Sequence, residues 1–147
     1  MRSSNAITLG ALAVAASTLL AVGISRNRGG NPADPAYNPA GFVASEVSRL
    51  ATTGRPQVVE IFHYQCRDCQ KMAPLVKDLE KQYGDRIDFV YLFADDKANA
   101  EAKRVLGFRS LPHFVFLSAD GGKVTEMEGI ISYDRMANGA ELLASRR

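Results

Sequence analysis

The run Val-Val-Glu-Ile-Phe-His-Tyr-Gln-Cys-Arg-Asp-Cys, residues 58–69, decides the fold of this chain. Its first seven residues are mostly β-branched or aromatic, as in a strand, and it ends in a Cys-x-x-Cys pair. Apolar residues at helical spacing follow the pair at once, up to Gly84. The chain has no other cysteine. Two thiols three positions apart at a strand-to-helix turn can close into a disulfide and reopen, so the motif predicts dithiol–disulfide exchange.

The charge balance argues against nucleic acid as the main partner. The chain has 147 residues, with 18 basic and 16 acidic side chains. Arg2, Arg26 and Arg28 flank an apolar segment, and the rest of the chain is close to neutral, with no basic stripe. Nucleic-acid-binding domains usually concentrate Lys and Arg on one face, so we expect no such partner. The length fits one domain of roughly 100 residues with appendages.

An uncharged segment near the N-terminus, residues 3–25, is long enough to cross a membrane as a helix. We predict that residues 1–25 are a transmembrane anchor. The alternative is a cleaved signal peptide, since Ala21-Val-Gly resembles a small-x-small cleavage site. Arginines on both sides nearly cancel the positive-inside rule. We expect the domain on the extracytoplasmic side, periplasmic or lumenal, because a short N-terminal anchor usually exports the domain attached to it.

Residues 26–41 contain three prolines and three glycines, which predicts a flexible linker. The remaining residues, 42–147, form the predicted domain. Its patterns predict, in order, a helix, a strand, a helix, a strand, a helix, two hairpin strands and a helix, at residues 42–52, 58–64, 66–83, 87–93, 98–106, 113–117, 124–127 and 133–144. This order predicts an α/β fold with a mixed central sheet of about four strands and helices on both faces.

Five features in this order resemble the thioredoxin superfamily over about residues 42–145. They are the strand at residues 58–64, the motif Cys66-Arg-Asp-Cys69, Pro74 inside the first helix, Leu111-Pro112 before the hairpin and Gly129 after it. The resemblance implies a thioredoxin-like fold and a cis bond at Pro112 that faces the Cys pair. It also implies exchange chemistry that needs no cofactor beyond the redox-active disulfide.

Two segments refine the resemblance. Residues 58–62 and 111–117 look most like the membrane-anchored thioredoxin-like proteins of cyanobacteria and thylakoids, which act on the lumenal side in cytochrome maturation. The chain departs from the family pattern near the cysteines. Gln65 stands where thioredoxins usually carry Trp, and Glu60 stands where they carry a buried Asp.

The candidate catalytic residues are Cys66, Cys69 and Glu60. Cys66 lies at the start of the predicted helix, where unpaired N–H groups and the helix dipole favour a thiolate, so we predict that it is the attacking nucleophile. Cys69, one turn deeper, is the predicted resolving thiol. Glu60 lies on a strand expected to be buried, and we predict that it is the base that deprotonates Cys69. The alternative for Glu60 is a salt bridge with Lys97 or Lys71.

The predicted substrate-binding residues lie between or near the cysteines: Arg67, Asp68, Leu111, Pro112 and His113. By the resemblance, the backbone at Leu111 pairs with an extended substrate strand. The alternative for Pro112 is an ordinary trans proline at a strand start. His113 and His63 are the only histidines, and either can tune the thiolate or contact substrate. The alternative for each is a hydrogen-bonded side chain near the sheet surface.

These predictions combine into a membrane-tethered thiol–disulfide oxidoreductase that reduces protein disulfides outside the cytoplasm. We expect a monomer without cofactor or metal that is regenerated by a thiol-electron donor in the membrane. Two alternatives remain open at this point. A copper metallochaperone would use the Cys pair and one His as soft ligands. A redox-silent interaction subunit would keep the fold as a scaffold.

Overall fold

The computed structural model describes residue 38 and residues 41–145 of the chain. The predicted anchor, residues 1–25, and most of the predicted linker lie outside these residues. Within the described part, no helix is both long enough and apolar enough to span a membrane.

Seven regular elements and two short turns succeed one another along the described chain. The strands are β1 (Gln57–Phe62), β2 (Asp88–Phe93), β3 (His113–Leu117) and β4 (Lys123–Glu128). The helices are α1 (Arg67–Tyr83), α2 (Ala100–Leu106) and α3 (Tyr133–Ala144), and single 3-10 turns lie at Val47–Arg49 and Lys97–Asn99. The predicted order of strands and helices from β1 onward is confirmed.

The four strands form one mixed sheet in the order β2-β1-β3-β4. β1 runs parallel to β2 and antiparallel to β3, and β3 and β4 form a hairpin. β1 is therefore central, and all six of its residues are buried. Parallel neighbours end at the same edge of a sheet, so the chain leaving β1 and the chain leaving β2 lie side by side.

Helices cover both faces of the sheet, as predicted. On one face, Val58 and Phe89 pack against buried side chains of α1 and α3. On the other face, Val59 and Ile61 pack against buried side chains of α2. Successive residues of a strand point to opposite faces, so Glu60 follows Val58 onto the face that α1 and α3 cover.

Close packing between α3 and β3 makes Gly139 a sensitive position. A Cβ atom added there would lie 2.9 Å from Cε1 of Phe116, whose ring is fully buried. We expect Gly139→Ala to lower the free energy of unfolding by about 1–3 kcal/mol through overpacking, which exceeds the gain in helix propensity of at most about 1 kcal/mol. Urea denaturation of Gly139→Ala and of the exposed neighbour variant Asn138→Ala measures this. A Gly139→Ala protein as stable as Asn138→Ala would contradict the prediction.

The predicted helix over residues 42–52 is wrong. Phe42 and Ser45 belong to an extended segment, and only Val47–Arg49 form a 3-10 turn. The N–H of Ser45 donates to the carbonyl of Tyr91 at 2.7 Å, and the Ser45 hydroxyl accepts the N–H of Tyr91 at 3.0 Å. The segment therefore lies along the outer edge of β2, and these bonds replace the hydrogen bonds that a helix would make.

Candidate active site

The cysteine pair lies at the junction between the end of β1 and the start of α1. Cys66 and Cys69 are joined in a disulfide, with their Cα atoms 5.2 Å apart. Cys66 is the N-cap residue of α1, and the N–H of Cys69 points at Cys66 Sγ over 3.1 Å. When the bond is reduced, this N–H group and the helix N-terminus favour negative charge on the Cys66 sulfur.

The two sulfurs differ in exposure. Cys66 is half-buried, whereas Cys69 is fully buried in a cluster with Phe42, Phe62 and Ala73. A bulky protein substrate can therefore approach only Cys66 from outside. This geometry agrees with an attacking role for Cys66 and a resolving role for Cys69, and both roles stay predictions.

Three hydrogen bonds hold the turn that carries Cys66. The N–H of Cys66 donates to the carbonyl of His63 at 3.0 Å. The N–H of Gln65 donates to His63 Nδ1 at 3.0 Å, and the side-chain amide of Gln70 donates to the carbonyl of Tyr64 at 2.7 Å. The turn is thus fixed by its own residues together with the first turn of α1.

The residues between the cysteines are charged and accessible. Arg67 is exposed, and Asp68 is paired with Lys71, whose Nζ lies 3.0 Å from the Asp68 carboxylate. The accessible position of Arg67 and Asp68 is compatible with their predicted contact with substrate.

Glu60 is buried without a partner. It is 1% exposed, and neither carboxylate oxygen has a hydrogen-bond partner among the described residues. Burial raises its pKa from 4.5 to about 8. The salt bridge weighed as an alternative is not formed, and Lys71 pairs with Asp68 instead. Glu60 can therefore exchange a proton near neutral pH, which is the property that the predicted base requires.

The loop before β3 adjoins the cysteine pair. The Leu111–Pro112 peptide bond is cis, as the resemblance implied. Half-buried Leu111 packs against the cluster that contains Cys69, and the carbonyl of Pro112 accepts the N–H of Gly129 at 2.9 Å. The structure therefore places the loop that carries Leu111 against the cluster that contains Cys69.

His113 does not join this group. It lies opposite Ile61 in the register of β1 and β3, so its ring points to the face that α2 covers. The ring is fully buried, with Nε2 3.4 Å from Glu126 and Nδ1 3.6 Å from Glu128. Burial lowers its pKa, and the two glutamates partly offset that. A fully buried ring touches no substrate, so the structure gives the side chain of His113 no place among the predicted substrate contacts.

Sequence reasoning missed Asp95, which pairs with His63. The carboxylate and the imidazole meet at 3.1 Å, between Asp95 Oδ2 and His63 Nε2. One signal was available in the sequence: both residues lie just beyond parallel strands, and the ends of such strands meet at one edge of the sheet.

The described residues hold no group of three or more His, Cys, Asp or Glu side chains arranged to bind a metal ion. The histidines instead face carboxylates, His63 toward Asp95 and His113 toward Glu126 and Glu128. Within residues 41–145, the cysteine pair and a histidine therefore do not form one such group.

Comparison with known proteins agrees with this geometry. Residues 43–142 match the family model described as a thioredoxin-like domain. The chloroplastic thioredoxin-like protein HCF164 of Oryza sativa is 30% identical over 102 residues, covering 69% of this chain and 39% of that protein. A thiol:disulfide interchange protein TxlA homolog of Synechocystis is 38% identical over 78 residues, covering 52% of this chain and 42% of that protein. This chain thus spans less than half the length of either relative.

Solved structures share the fold. The germline-specific thioredoxin Deadhead of Drosophila melanogaster superposes with a TM-score of 0.59 at 19% identity, covering 69% of this chain and 99% of that one. The thioredoxin of Fasciola hepatica gives a TM-score of 0.53 at 28% identity, covering 61% of this chain and 82% of that one. The family match covers the residues that carry the bonded Cys66–Cys69 pair.

Proposed function

We propose a function from one premise: the chain belongs to the family of thioredoxin-like domains. The proposed function is the reduction of protein disulfides, with Cys66 and Cys69 as the dithiol. The observation that carries the proposal is the placement of Cys66 at the N-cap of α1, bonded to a partner sulfur that is fully buried. In this arrangement the Cys66 sulfur is accessible to the substrate, and the buried Cys69 sulfur reacts only with the mixed disulfide at Cys66.

The exchange proceeds in two displacements. The Cys66 thiolate attacks one sulfur of the substrate disulfide, and the other substrate sulfur leaves as a thiolate that takes up a proton. Glu60 then accepts the proton of Cys69, whose thiolate attacks the Cys66 sulfur of the mixed disulfide. The second substrate sulfur leaves, and the Cys66–Cys69 bond closes. Two electrons have passed from the protein to the substrate.

The substrate segment lies across the loop before β3. Leu111 packs against the cluster that contains Cys69, so an extended chain that lies along its backbone can form strand-like hydrogen bonds beside the Cys pair. Arg67 and Asp68 flank the reactive sulfur and contact the polar groups of the same segment. The substrates are therefore protein disulfides that can present an extended stretch of chain.

We further propose that the protein is a membrane-anchored monomer. The uncharged residues 3–25 support an anchor, residues 26–41 give it reach, and the domain lies on the extracytoplasmic side. Each turnover consumes the dithiol, so a thiol-electron donor in the membrane restores it. We also propose cytochrome maturation as the process that it serves, because residues 58–62 and 111–117 resemble the membrane-anchored thioredoxin-like proteins that act in that process.

A redox titration of the full chain in detergent micelles tests the proposal. The Cys66–Cys69 pair is equilibrated with dithiothreitol buffers and with glutathione buffers, which together span both potentials below, and its reduced fraction is measured by thiol alkylation. A midpoint potential near about −270 mV, typical of thioredoxin, is the expected result for a reductase. A value near about −120 mV would instead identify an oxidant, and a pair that never re-forms its disulfide would eliminate the enzyme function.

A further inference from the structure

We propose that His63 is a positioning residue for the attacking sulfur, and that it acts on Cys66 through the turn rather than by proton transfer. This inference rests on the proposed disulfide exchange and adds to it the residue that holds the nucleophile in place. The juxtaposition that carries it joins three segments: the end of β1, the turn before α1 and Asp95 after β2.

His63 closes the turn twice. Its backbone carbonyl accepts the N–H of Cys66 at 3.0 Å, and its ring atom Nδ1 accepts the N–H of Gln65 at 3.0 Å. An aromatic face steadies the ring, because the centroid of Phe93 lies 5.2 Å away. The position of Cys66 relative to the start of α1 therefore depends on the orientation of this imidazole.

Asp95 sets that orientation. The N–H of Gln65 occupies the lone pair of Nδ1, so the neutral ring carries its proton on Nε2. Nε2 lies 3.1 Å from the Asp95 carboxylate, in the segment after β2. The turn that carries Cys66 is thus tied to the neighbouring strand of the sheet as well as to α1.

The same contacts exclude a role for His63 as the base toward Cys66. One ring nitrogen accepts from Gln65, and the other faces Asp95. Neither nitrogen is directed at the Cys66 sulfur, so no proton can pass between them in this arrangement. His63 therefore affects the reactivity of the Cys66 sulfur through the backbone of the turn.

The test uses the full chain in detergent micelles and the Cys69→Ser background, in which Cys66 is the only thiol. The rate of alkylation by iodoacetamide at pH 7 is measured for His63→Ala, His63→Asn and Asp95→Asn. We expect His63→Ala to react about 10-fold more slowly, the order of one lost hydrogen bond. His63→Asn should recover most of the rate, because an Asn side chain accepts the N–H two residues ahead.

Asp95→Asn should lose about 2- to 3-fold, because an amide holds the ring less firmly than a carboxylate. The matched control is Asp96→Asn, which removes the neighbouring charge but keeps the side-chain cap on the N–H of Ala98. It should react like the parent. Equal rates for His63→Ala and the parent would overturn the proposal, and so would an Asn variant as slow as the Ala variant at the same urea midpoint.

Failure of the proposed function would look different. If the parent Cys69→Ser protein reacted no faster than a free thiol, the exchange chemistry itself would be refuted. If the parent reacted fast and all the His63 variants did too, only the positioning role would be refuted.

Discussion

A Cys66→Ser variant should lose disulfide reduction by at least about 10³-fold, because a serine hydroxyl is not ionised near neutral pH and cannot replace a thiolate. A Cys69→Ser variant should also stop turning over, but for the opposite reason. Its Cys66 still attacks, and no second thiol releases the product, so the mixed disulfide accumulates. The expected asymmetry comes from burial, since Cys69 is fully enclosed and Cys66 is not.

Insulin reduction and non-reducing gels measure the two outcomes. The Cys69→Ser protein should give covalent adducts that dithiothreitol releases, whereas Cys66→Ser should give none. The double variant Cys66→Ser/Cys69→Ser is the matched control and sets the background. Adducts of equal yield from both single variants would show that the two sulfurs are equally accessible and would refute the assigned roles.

The sequence predicts the central sheet and the cysteine pair because their signals are local. Strand β1 is a dense run of β-branched and aromatic residues, and the pair comes directly after it, before an amphipathic helix. The strand directions are also accessible, because the single helix α1 between β1 and β2 favours a parallel pair and a short turn imposes the final hairpin. Each of these inferences needs only elements that are neighbours in the sequence.

The segment over residues 42–52 shows where local signals fail. Its apolar residues fit a helical period, but Val43 is 79% exposed whereas Phe42 stacks on Phe62 with ring centroids 4.5 Å apart. At the outer edge of β2, the backbone carbonyl and N–H of Tyr91 form hydrogen bonds with Ser45 of the extended segment. A hydrogen-bond partner more than 40 positions away in the sequence therefore decides the structure of this segment. The periodicity of its apolar residues carries no information about that partner.

The two histidines make the same point about the site. Both lie near strand ends in the sequence, and only the register separates them. His63 leaves the sheet at the end of β1 and meets Asp95, whereas His113 is the first residue of β3 and points to the α2 face. The sequence shows that His63 and His113 lie near strand ends, but it does not show which face of the sheet each ring occupies.

Glu60 brings the requirements of folding and catalysis into conflict. A buried carboxyl without a hydrogen-bond partner disfavours its ionised form, and its pKa rises from 4.5 to about 8. Between these two values the native state keeps a proton that the unfolded chain releases. The free energy of unfolding therefore falls as the pH rises from about 4.5 to about 8, and it is not lowered further above that range.

We expect Glu60→Gln to remove this pH dependence and to stabilise the protein by about 3 kcal/mol at pH 7, at about 1.4 kcal/mol for each pKa unit. The two proteins should differ least at the acid end of the range, near pH 4.5, where the native carboxyl is protonated and the unfolded one is half-protonated. The same change should slow resolution of the mixed disulfide by about 10²-fold, because an amide cannot accept the proton of Cys69. Urea denaturation across pH 4.5–8.5 and single-turnover insulin reduction measure the two effects.

Glu80→Gln is the matched control, because it makes the same chemical change on an exposed carboxylate of α1. Its stability should follow the wild-type pH profile, since Glu60 still titrates in this variant and an amide oxygen at position 80 can still accept the Tyr91 hydroxyl that Glu80 accepts at 2.8 Å. A Glu60→Gln protein that was destabilised to the same extent at every pH would show that Glu60 is ionised in the native state at neutral pH. A stabilised variant with unchanged resolution would show instead that the proton of Cys69 leaves by another route. Stability and turnover must therefore change in opposite directions if this one buried carboxyl serves as the base.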